Sequence, residues 1–497
     1  MAALGAAACT IEFVKNAHCD VDADCGDPNF PSCNTASHAC RVLGSGGDMN
    51  PGDLPPIACS MSSMCPRTSE PICDLTINVC RGCSNPDAGI SSECTARDAN
   101  RPLCAGSGAC VQCVANRDCI KDAKTCDTAA GSCVPCTKNS DCASGICGAG
   151  GVCADPAMIV YVNKSGVSCP GGTGQGSLDD PYCTIQAGFN QGALQGKRVV
   201  VFSGVYPENV SIQTSTTSYT VNAIGVGQPT LSPSATGAGL KLANGGMMIN
   251  VTLDGFVIQS AIGGSGVDCT GVAPNANTRL SLLRSTLRNN AQYGIIASKC
   301  LVTIDQTTIA QNASGGVYAS DADVTIQNTL VRQNGMAASG ATYGGIFLTA
   351  PMSAGSATVV NTTVVNNKTS GGALATSGIS CGFSANILNS VVHSNTGSSM
   401  EMNATSCPPD HSAFVGAAVG GTGTNNIELA TCTSGVVFVD ANNNNYTPRS
   451  GAGACSLIDK GIGSHVFNTT TVTAPSYDLN GAPRSSGTID IGALEAM

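Results

Sequence analysis

Short aliphatic runs broken by polar residues recur along the C-terminal two thirds of the chain. Five copies of one motif, here called the coil motif, read polar residue, Ser or Thr, any residue, aliphatic residue, two further residues, Asn. The copies begin at Arg284, Gln306, Asn328, Asn361 and Asn389. Strand-forming runs that repeat with a period in the low twenties are typical of a solenoid in which each repeat is one coil. We therefore expect stacked parallel strands, with loops bulging from the coils at 335–343 and around 370–384.

The asparagine that closes each coil motif is expected to stack on the asparagine of the next coil. The predicted ladder consists of Asn290, Asn312, Asn334, Asn367 and Asn395. Because an amide side chain both donates and accepts, neighbouring asparagines can bind one another along the rod. With neighbouring strands about 4.8 Å apart, roughly 12 coils would make a rod about 60 Å long.

Cysteine sets the pattern of the first third of the chain. Of 29 cysteines, 21 lie between Cys9 and Cys153, and eight are scattered from Cys169 to Cys455. Those after Cys9 form five blocks of four: Cys19, Cys25, Cys33 and Cys40; Cys59, Cys65, Cys73 and Cys80; Cys83, Cys94, Cys104 and Cys110; Cys113, Cys119, Cys126 and Cys133; Cys136, Cys142, Cys147 and Cys153. A block of about 20 residues cannot bury a sufficient core, so two disulfides per block would replace it. Pairing within a block has three possible connectivities, and the spacing does not choose among them.

Zinc is the alternative to disulfides for so many cysteines. Zinc sites of this kind usually include histidine, and the chain has five His. Disulfides are therefore favoured, which indicates an oxidising compartment. These patterns divide the chain into a leader at 1–18, a first cysteine-rich module at 19–40, a Gly- and Pro-rich linker at 41–58, four further modules at 59–153 and the solenoid at 158–497.

Two features of the N-terminal region resemble exported bacterial proteins. An acidic residue precedes the second cysteine of three blocks, as in 136–147, and this resembles the Asp-Cys repeats of exported myxobacterial proteins. The stretch from Leu4 to Cys9 resembles the end of a lipoprotein signal peptide, which implies lipidation of Cys9. The alternatives are a signal peptidase site after Ala8 and a cysteine left from a truncated gene start.

The start and the close of the solenoid resemble the right-handed parallel β-helix superfamily that includes pectate lyases. The segments that carry the resemblance are 160–163, 180–187 and 199–206 at the start and 478–495 at the close. The resemblance covers about 158–497 and implies an all-β, single-stranded, right-handed parallel β-helix with an N-terminal capping helix. A disulfide between Cys169 and Cys183 would tighten that cap, while the pairing of the later cysteines stays open.

In the enzymes of that superfamily, sugar polymers lie along the outward face of one parallel sheet. Side chains alternate across a strand, so inward Ile295, Val317 and Ile346 would leave an outward row next to them. The predicted row is Ile296, Tyr318, Phe347 and Leu374, flanked by Ser and Thr. Aromatic and hydroxyl side chains suit the stacking and hydrogen bonding of sugar rings. The alternative is that a loop or a second chain covers this row.

Catalytic groups are harder to find along the same face. Glycoside hydrolysis needs two carboxylates, and lyase chemistry needs a base, usually with calcium held by acids. The best acidic candidates are Asp268, Asp321 and Asp323. The simpler alternative is that all three are solvated turn residues. Arg288 and Arg332, two coils apart in one register, are either ligands of a sugar or exposed charges. No cofactor is expected, with calcium as the one possible ion.

The charge and hydropathy of the chain limit the kinds of partner that it could bind. The net charge of -10 argues against nucleic acid and anionic membranes, and no apolar run reaches 18 residues. We favour a non-catalytic protein, secreted or on the outer bacterial surface and possibly lipid-anchored, whose β-helix on a disulfide-stapled stalk binds polysaccharide or mediates adhesion or self-assembly. The alternatives are a secreted polysaccharide lyase or glycoside hydrolase, and a structural subunit of an extracellular fibre.

Overall fold

The computed structural model describes most of the chain. The described residues are 14–18, 32–34, 39–41, 57–67, 69–84, 90–148, 150–166, 168–169, 171–214, 217–272, 277–337, 343–352, 355–370, 377–398, 401–402, 407–415, 425–485 and 488–496. They fall into two compact units, one of Met1–Val114 with Asp127–Ser132 and the other of Ala115–Cys126 with Cys133–Met497. Among these residues, no helix is long and apolar enough to cross a bilayer.

The first unit is built from short antiparallel strands. Its strands are β1 (Val14–His18), β2 (Ser32–Asn34), β3 (Ala39–Arg41), β4 (Ile72–Asp74), β5 (Val79–Arg81), β6 (Leu103–Cys104) and β7 (Cys110–Val111). They pair as a three-stranded sheet in the order β1-β3-β2 and as the hairpins β4-β5 and β6-β7. The one α-helix of this unit that is described, α1 (Ser92–Arg97), begins where the Ser91 side chain accepts a hydrogen bond from the Cys94 amide.

Disulfides join the first cysteine of a block to the third and the second to the fourth. The bonds are Cys59–Cys73, Cys65–Cys80, Cys83–Cys104, Cys94–Cys110, Cys119–Cys133, Cys136–Cys147 and Cys142–Cys153. Cys113 and Cys126 are also disulfide-bonded. Of the three possible connectivities, the blocks therefore use the interlaced one. Lipidation of Cys9 and pairing of Cys19, Cys25, Cys33 and Cys40 concern side chains outside the described part of the chain.

Three parallel sheets form the solenoid of the second unit. The first sheet contains β12 (Ile159–Val162), β13 (Arg198–Phe202), β16 (Tyr219–Val226), β20 (Ile249–Asp254), β24 (Thr278–Leu283), β27 (Leu301–Asp305), β30 (Asp323–Gln327), β33 (Ser356–Val360), β36 (Ala385–Leu388) and β38 (Pro409–Asp410). The second contains β14 (Val205–Tyr206), β17 (Thr230–Leu231), β21 (Val257–Gln259), β25 (Thr286–Arg288), β28 (Thr308–Ala310), β31 (Leu330–Arg332), β34 (Thr363–Val365), β37 (Val391–His393), β39 (Ala413–Phe414) and β40 (Ile427–Glu428). The third contains β15 (Val210–Thr214), β19 (Leu240–Asn244), β23 (Val267–Thr270), β26 (Tyr293–Ser298), β29 (Gly315–Ser320), β32 (Ile346–Thr349) and β35 (Ile379–Cys381).

Shorter elements complete this unit. They are β8 (Thr125–Asp127), β9 (Ser132–Val134), β10 (Cys147–Gly148), β11 (Val152–Cys153), β18 (Thr236–Gly237), β22 (Ile262–Gly263), β41 (Phe438–Asp440), β42 (Asn445–Pro448), β43 (Ser464–Phe467), β44 (Thr470–Thr473), α2 (Ile185–Gln195) and α3 (Ser434–Val437). Short 3-10 helices lie at Ser62–Met64 in the first unit and here at Asn116–Asp122, Asn139–Asp141, Pro156–Met158, Ala441–Asn443 and Gly453–Cys455. Three further disulfides join Cys269–Cys300, Cys381–Cys407 and Cys432–Cys455.

Each position of the coil motif has a structural role in the solenoid. The first residue, such as Arg284 with φ of 46°, turns the chain in the left-handed region between the first and second sheets. The hydroxyl at the next position bonds the neighbouring coil, as where Ser390 Oγ accepts from the Thr362 amide at 3.2 Å. The aliphatic residue, such as Leu287, is buried in the core. The motif thus places one turn, one hydroxyl link, one core residue and one amide link in every coil.

The closing asparagines form a continuous buried ladder. Four side-chain hydrogen bonds of 2.8–2.9 Å run from the Nδ2 of each to the Oδ1 of the next, through Asn290, Asn312, Asn334, Asn367 and Asn395. Each acceptor oxygen also receives the backbone amide of the preceding asparagine. The ladder ends on a carboxylate, because Asn395 Nδ2 donates to Glu401 Oε2 at 2.6 Å.

An N-terminal helix closes the start of the solenoid. In α2, Thr184 accepts from the Ala187 amide, and the partly buried Glu208 carboxylate accepts from the amides of Ile185 and Gln186. A Cβ on Gly188 would lie 2.1 Å from Val162 Cγ2, so glycine allows the helix to rest directly on β12. Cys169–Cys183 closes the segment that leads into this helix.

The fifth cysteine block packs on the outward face of the first sheet. Ile146, which is 3% exposed, belongs to one cluster with Ile159, Tyr161 and Val200. The alternation along β12 turns Val160 and Val162 into the core and Tyr161 outward. This block is therefore part of the solenoid's packing.

Residues 429–496 form no further described coil and instead cover outward faces of the solenoid. Phe438 and Tyr446 pack in one cluster with Val365 and Val391 of the second sheet. The hairpin β43-β44 packs its Phe467 on Val360 and Leu388 of the first sheet. The solenoid expected to run to residue 497 therefore has its last described strand at Ile427–Glu428.

Removing one rung of the ladder should destabilise the rod. In Asn334→Ala, the amides of Asn312 and the carbonyl of Ile309 lose their partner in a buried site, so we expect a loss of about 2–4 kcal/mol in the free energy of unfolding. Urea unfolding followed by circular dichroism measures this loss. Gln311→Asn, at an exposed turn position one residue before the ladder, is the control and should change the free energy by less than about 0.5 kcal/mol. Equal losses in both variants would contradict a special role of the ladder.

The end of the ladder should make stability depend on pH. Burial raises the pKa of Glu401 from 4.5 to about 7. The folded protein thus holds this proton more tightly than the unfolded chain, so this group's contribution to stability is present at low pH and is lost as pH rises from about 4.5 to about 7. Glu401→Gln should be as stable as the parent at pH 5 and more stable by about 2 kcal/mol at pH 8. Thermal unfolding across pH measures both, and a difference that does not vary with pH would refute this account.

Candidate functional site

Seven outward side chains follow one another across the third sheet, one from each coil. This outward row consists of Ser211, Lys241, Asp268, Ile296, Tyr318, Phe347 and Ser380, which are paired in register on neighbouring strands. The residues before them on β26, β29 and β32, namely Ile295, Val317 and Ile346, are 0–1% exposed. Ser298, Ser320 and Thr349 form a second, parallel row two residues further on.

The seventh position of the row differs from the sequence-based expectation. Leu374 lies outside the described residues, and Ser380 of β35 pairs with Phe347 where Leu374 was expected. The strand therefore lies inside the segment predicted to be a loop around 370–384. The position of this strand follows from the asparagine ladder. An added Cβ on Gly378 would lie 3.0 Å from Asn395 Nδ2, and an added Cβ on Gly345, which precedes β32, would lie 3.1 Å from Asn367 Nδ2. In the last five strands of this sheet a glycine at or next to the start of the strand has a ladder amide nitrogen within 3.2 Å of the place of its missing Cβ; these glycines are Gly266, Gly294, Gly316, Gly345 and Gly378.

Four rings gather at the C-terminal half of the row. This aromatic platform consists of Tyr293, Tyr318, Tyr343 and Phe347, all partly exposed. Ring centroids are 5.3 Å apart for Tyr293 and Tyr318, 5.5 Å for Tyr318 and Phe347, and 4.3 Å for the stacked Tyr343 and Phe347. Burial raises the pKa of Tyr293 and Tyr318, so both remain neutral phenols. The platform offers a continuous aromatic surface with hydroxyl groups.

Tyr293 and Tyr343 were not predicted from the sequence. Tyr293 lies in the same strand as Ile296, and room for its ring comes from Gly315 opposite, where a Cβ would lie 2.8 Å from Tyr293 Cε1. A tyrosine paired with a glycine was the available signal. Tyr343 follows the loop predicted at 335–343 and meets the row only through the fold.

A cleft of about 370 Å³ opens over the N-terminal half of the row. Its polar lining includes Asn209, Ser211, Lys241, Asp268 and Gln292. Asp268 Oδ1 accepts from Thr270 Oγ1 at 3.0 Å, and Lys241 is exposed. Lys241 was not among the residues predicted from the sequence, although it stands two residues after the glycine that precedes β19. Lys241 and Asp268 extend the row beyond the four positions predicted from the sequence.

The other acidic candidates are used within the fold. Asp321 is 3% exposed at a left-handed turn, where its Oδ1 accepts from the Met352 amide at 3.0 Å. Asp323 belongs to the first sheet and accepts from Ser356 Oγ at 2.7 Å. Asp268 is the one predicted acid that lies on the outward row.

The two predicted arginines lie on another face. Arg288 and Arg332 flank Ala310 in the second sheet. Arg288 Nε donates to Gln259 Oε1 at 2.9 Å, and Arg332 Nη1 donates to Asn444 Oδ1 at 3.0 Å. The fold therefore does not bring these arginines to Tyr318 and Phe347.

A known protein family describes the handedness of the solenoid. Residues 265–434 match the family model described as right handed beta helix region. The solenoid is a right-handed parallel β-helix. The matched stretch carries the row from Asp268 to Ser380. No curated protein matches the chain.

Three solved structures are similar to this chain at low sequence identity. Pectate lyase Pel9A is 13% identical with a TM-score of 0.44, over 68% of this chain and 96% of that one. A rhamnogalacturonan lyase is 13% identical with a TM-score of 0.24, over 51% and 87%. ORF18 of Geobacillus virus E2 is 10% identical with a TM-score of 0.24, over 55% and 60%. At such TM-scores these similarities carry no argument about function.

Proposed function

We propose that this chain is a non-catalytic extracellular protein that binds an extended polysaccharide along the outward row. The observation that carries the proposal is the aromatic platform, four partly exposed rings in contact on one sheet face. Rings of this kind present broad apolar surface at little cost in side-chain entropy, and their hydroxyls can still bind polar groups. Sugar rings have apolar C–H faces and polar edges, so they match both properties.

The direction of the row suits a linear polymer. Successive side chains are one coil apart, so Lys241 and Phe347, four coils apart, are separated by roughly 19 Å. A chain molecule laid along the helix axis can therefore reach the cleft and the platform together. The other two sheets are partly covered by the chain itself, because residues 429–496 pack on part of the second sheet and part of the first.

The chemistry of the row argues against hydrolysis. Glycosidases use two carboxyl groups on either side of the scissile bond. Among the described residues of the row, Asp268 is the one carboxylate, while Asp321 and Asp323 already accept hydrogen bonds from Met352 and Ser356. We accordingly propose no calcium ion and no cofactor in this function.

Binding should depend on the platform. We expect Tyr318→Ala and Phe347→Ala to weaken retention of a bound polysaccharide at least about tenfold, because each removes a ring worth about 1.4 kcal/mol or more of contact. Affinity electrophoresis of the oxidised full chain against a polysaccharide panel measures this. Arg288→Ala, on the second sheet, is the control and should bind like the parent, and thermal unfolding checks that each variant is folded.

The same polymers should be recovered uncut. New reducing ends or unsaturated products would show an enzyme and direct attention to Lys241 and Asp268. Retention that persists without both rings would show that the polymer binds to another face of the protein. If no polymer is retained, the adhesion, self-assembly and fibre hypotheses would take precedence.

A further inference from the structure

The third sheet is almost free of charge, and its two charged side chains have opposite signs. We propose that the polysaccharide bound there is neutral, with vicinal hydroxyls at Lys241 and Asp268 and a bare ring face on the aromatic platform. This inference rests on the proposed function and names the class of its ligand.

The strand sequences give the charge count. The seven strands of the third sheet contain Lys241 and Asp268 and no other Lys, Arg, Asp or Glu. The loop sequences 338–342 and 371–376 contain none either. A polyanion with one charge per sugar would require cations repeated along the row, and the row has one. The net charge of -10 on the whole chain adds a general repulsion of polyanions.

The cleft also disfavours a charged sugar. Lys241 and Asp268 occupy paired positions on β19 and β23, one strand spacing apart. An anionic group placed at Lys241 would therefore lie near the Asp268 carboxylate, and a cationic group at Asp268 would lie near the Lys241 ammonium. Two neighbouring hydroxyls meet neither repulsion, since one can accept from the ammonium and the other can donate to the carboxylate.

The aromatic platform also favours a neutral sugar over an anionic one. The face of an aromatic ring is electron-rich and its edge electron-poor, so a face attracts C–H groups and repels anions. Tyr343 and Phe347 are stacked at 4.3 Å, Tyr318 lies beside Phe347 at 5.5 Å, and all three side chains are partly exposed. A neutral sugar ring fits this surface, and a carboxylated ring face does not.

A neutral ligand has a chemical consequence. Elimination by a polysaccharide lyase removes the proton next to a sugar carboxyl group. A neutral polymer without carboxyl groups or their esters has no such proton, so for these polymers the inference agrees with a binding role at this row.

Matched polymers test the inference. The probes are highly methyl-esterified homogalacturonan with its de-esterified form, plus the neutral polymers mannan, xylan, galactan and β-glucan and the acidic polymer alginate. We expect retention of at least one neutral or esterified polymer, little changed between about 0.05 and 0.5 M NaCl, and no retention of the acidic forms. Lys241→Met should weaken that retention about tenfold through loss of a charged donor. The partly exposed Lys197→Met, on the loop after α2, is the matched control.

The outcomes separate the two proposals. Retention of an acidic polymer that falls with salt and is lost in Lys241→Met would overturn the neutral ligand and leave polysaccharide binding standing. Retention of a neutral polymer that is unaffected by Lys241→Met, Asp268→Asn and Tyr318→Ala would overturn the assignment to this row. Retention of no polymer would overturn both proposals.

Discussion

Buried hydrogen bonds between asparagine side chains of successive coils are the interaction on which the rod depends. At the turn between the second and third sheets, backbone groups face the interior, where unpaired amides are costly. Each ladder asparagine pairs these groups and those of its own side chain at once. The requirement applies to the turn and not to the length of a coil. The copies of the coil motif can therefore be 22, 33 or 28 residues apart while the rungs remain in register.

The same constraint explains which parts of the fold could be predicted from sequence. The coil motif combines a turn, a hydroxyl, a core residue and a ladder amide at fixed spacing, so it predicts the strands and their stacking. The strand at 379–381 was missed because the ladder position of Gly378 depends on contact with Asn395 from another coil. The cysteine spacing left three connectivities open, because loops of similar length can close in each way. Residues 429–496 lack the motif, and their packing follows from the apolar faces that the coils leave outward.

The candidate site was predicted in part for a related reason. Alternation along a strand identifies Ile296, Tyr318 and Phe347 as outward, since that property is local. Tyr293 and Tyr343 join the platform through contacts between coils, and Lys241 joins the row through pairing of β19 with β23. Arg288 and Arg332 share a register with each other but belong to the second sheet. A sequence repeat shows which residues share a register position. To know on which of the three sheets those residues lie, the turns between the sheets must also be known.

The interlaced disulfides determine how a cysteine block responds to tension. In the block from Cys59 to Cys80, the bonds Cys59–Cys73 and Cys65–Cys80 overlap. A pull applied at the two ends has two covalent paths of similar length, one along the backbone from Cys59 to Cys65 and across to Cys80, the other across to Cys73 and along the backbone to Cys80. The backbone between Cys65 and Cys73 lies on neither path, so it carries no load and adds no length. Such a block behaves as a nearly inextensible link, even when its few non-covalent contacts are broken.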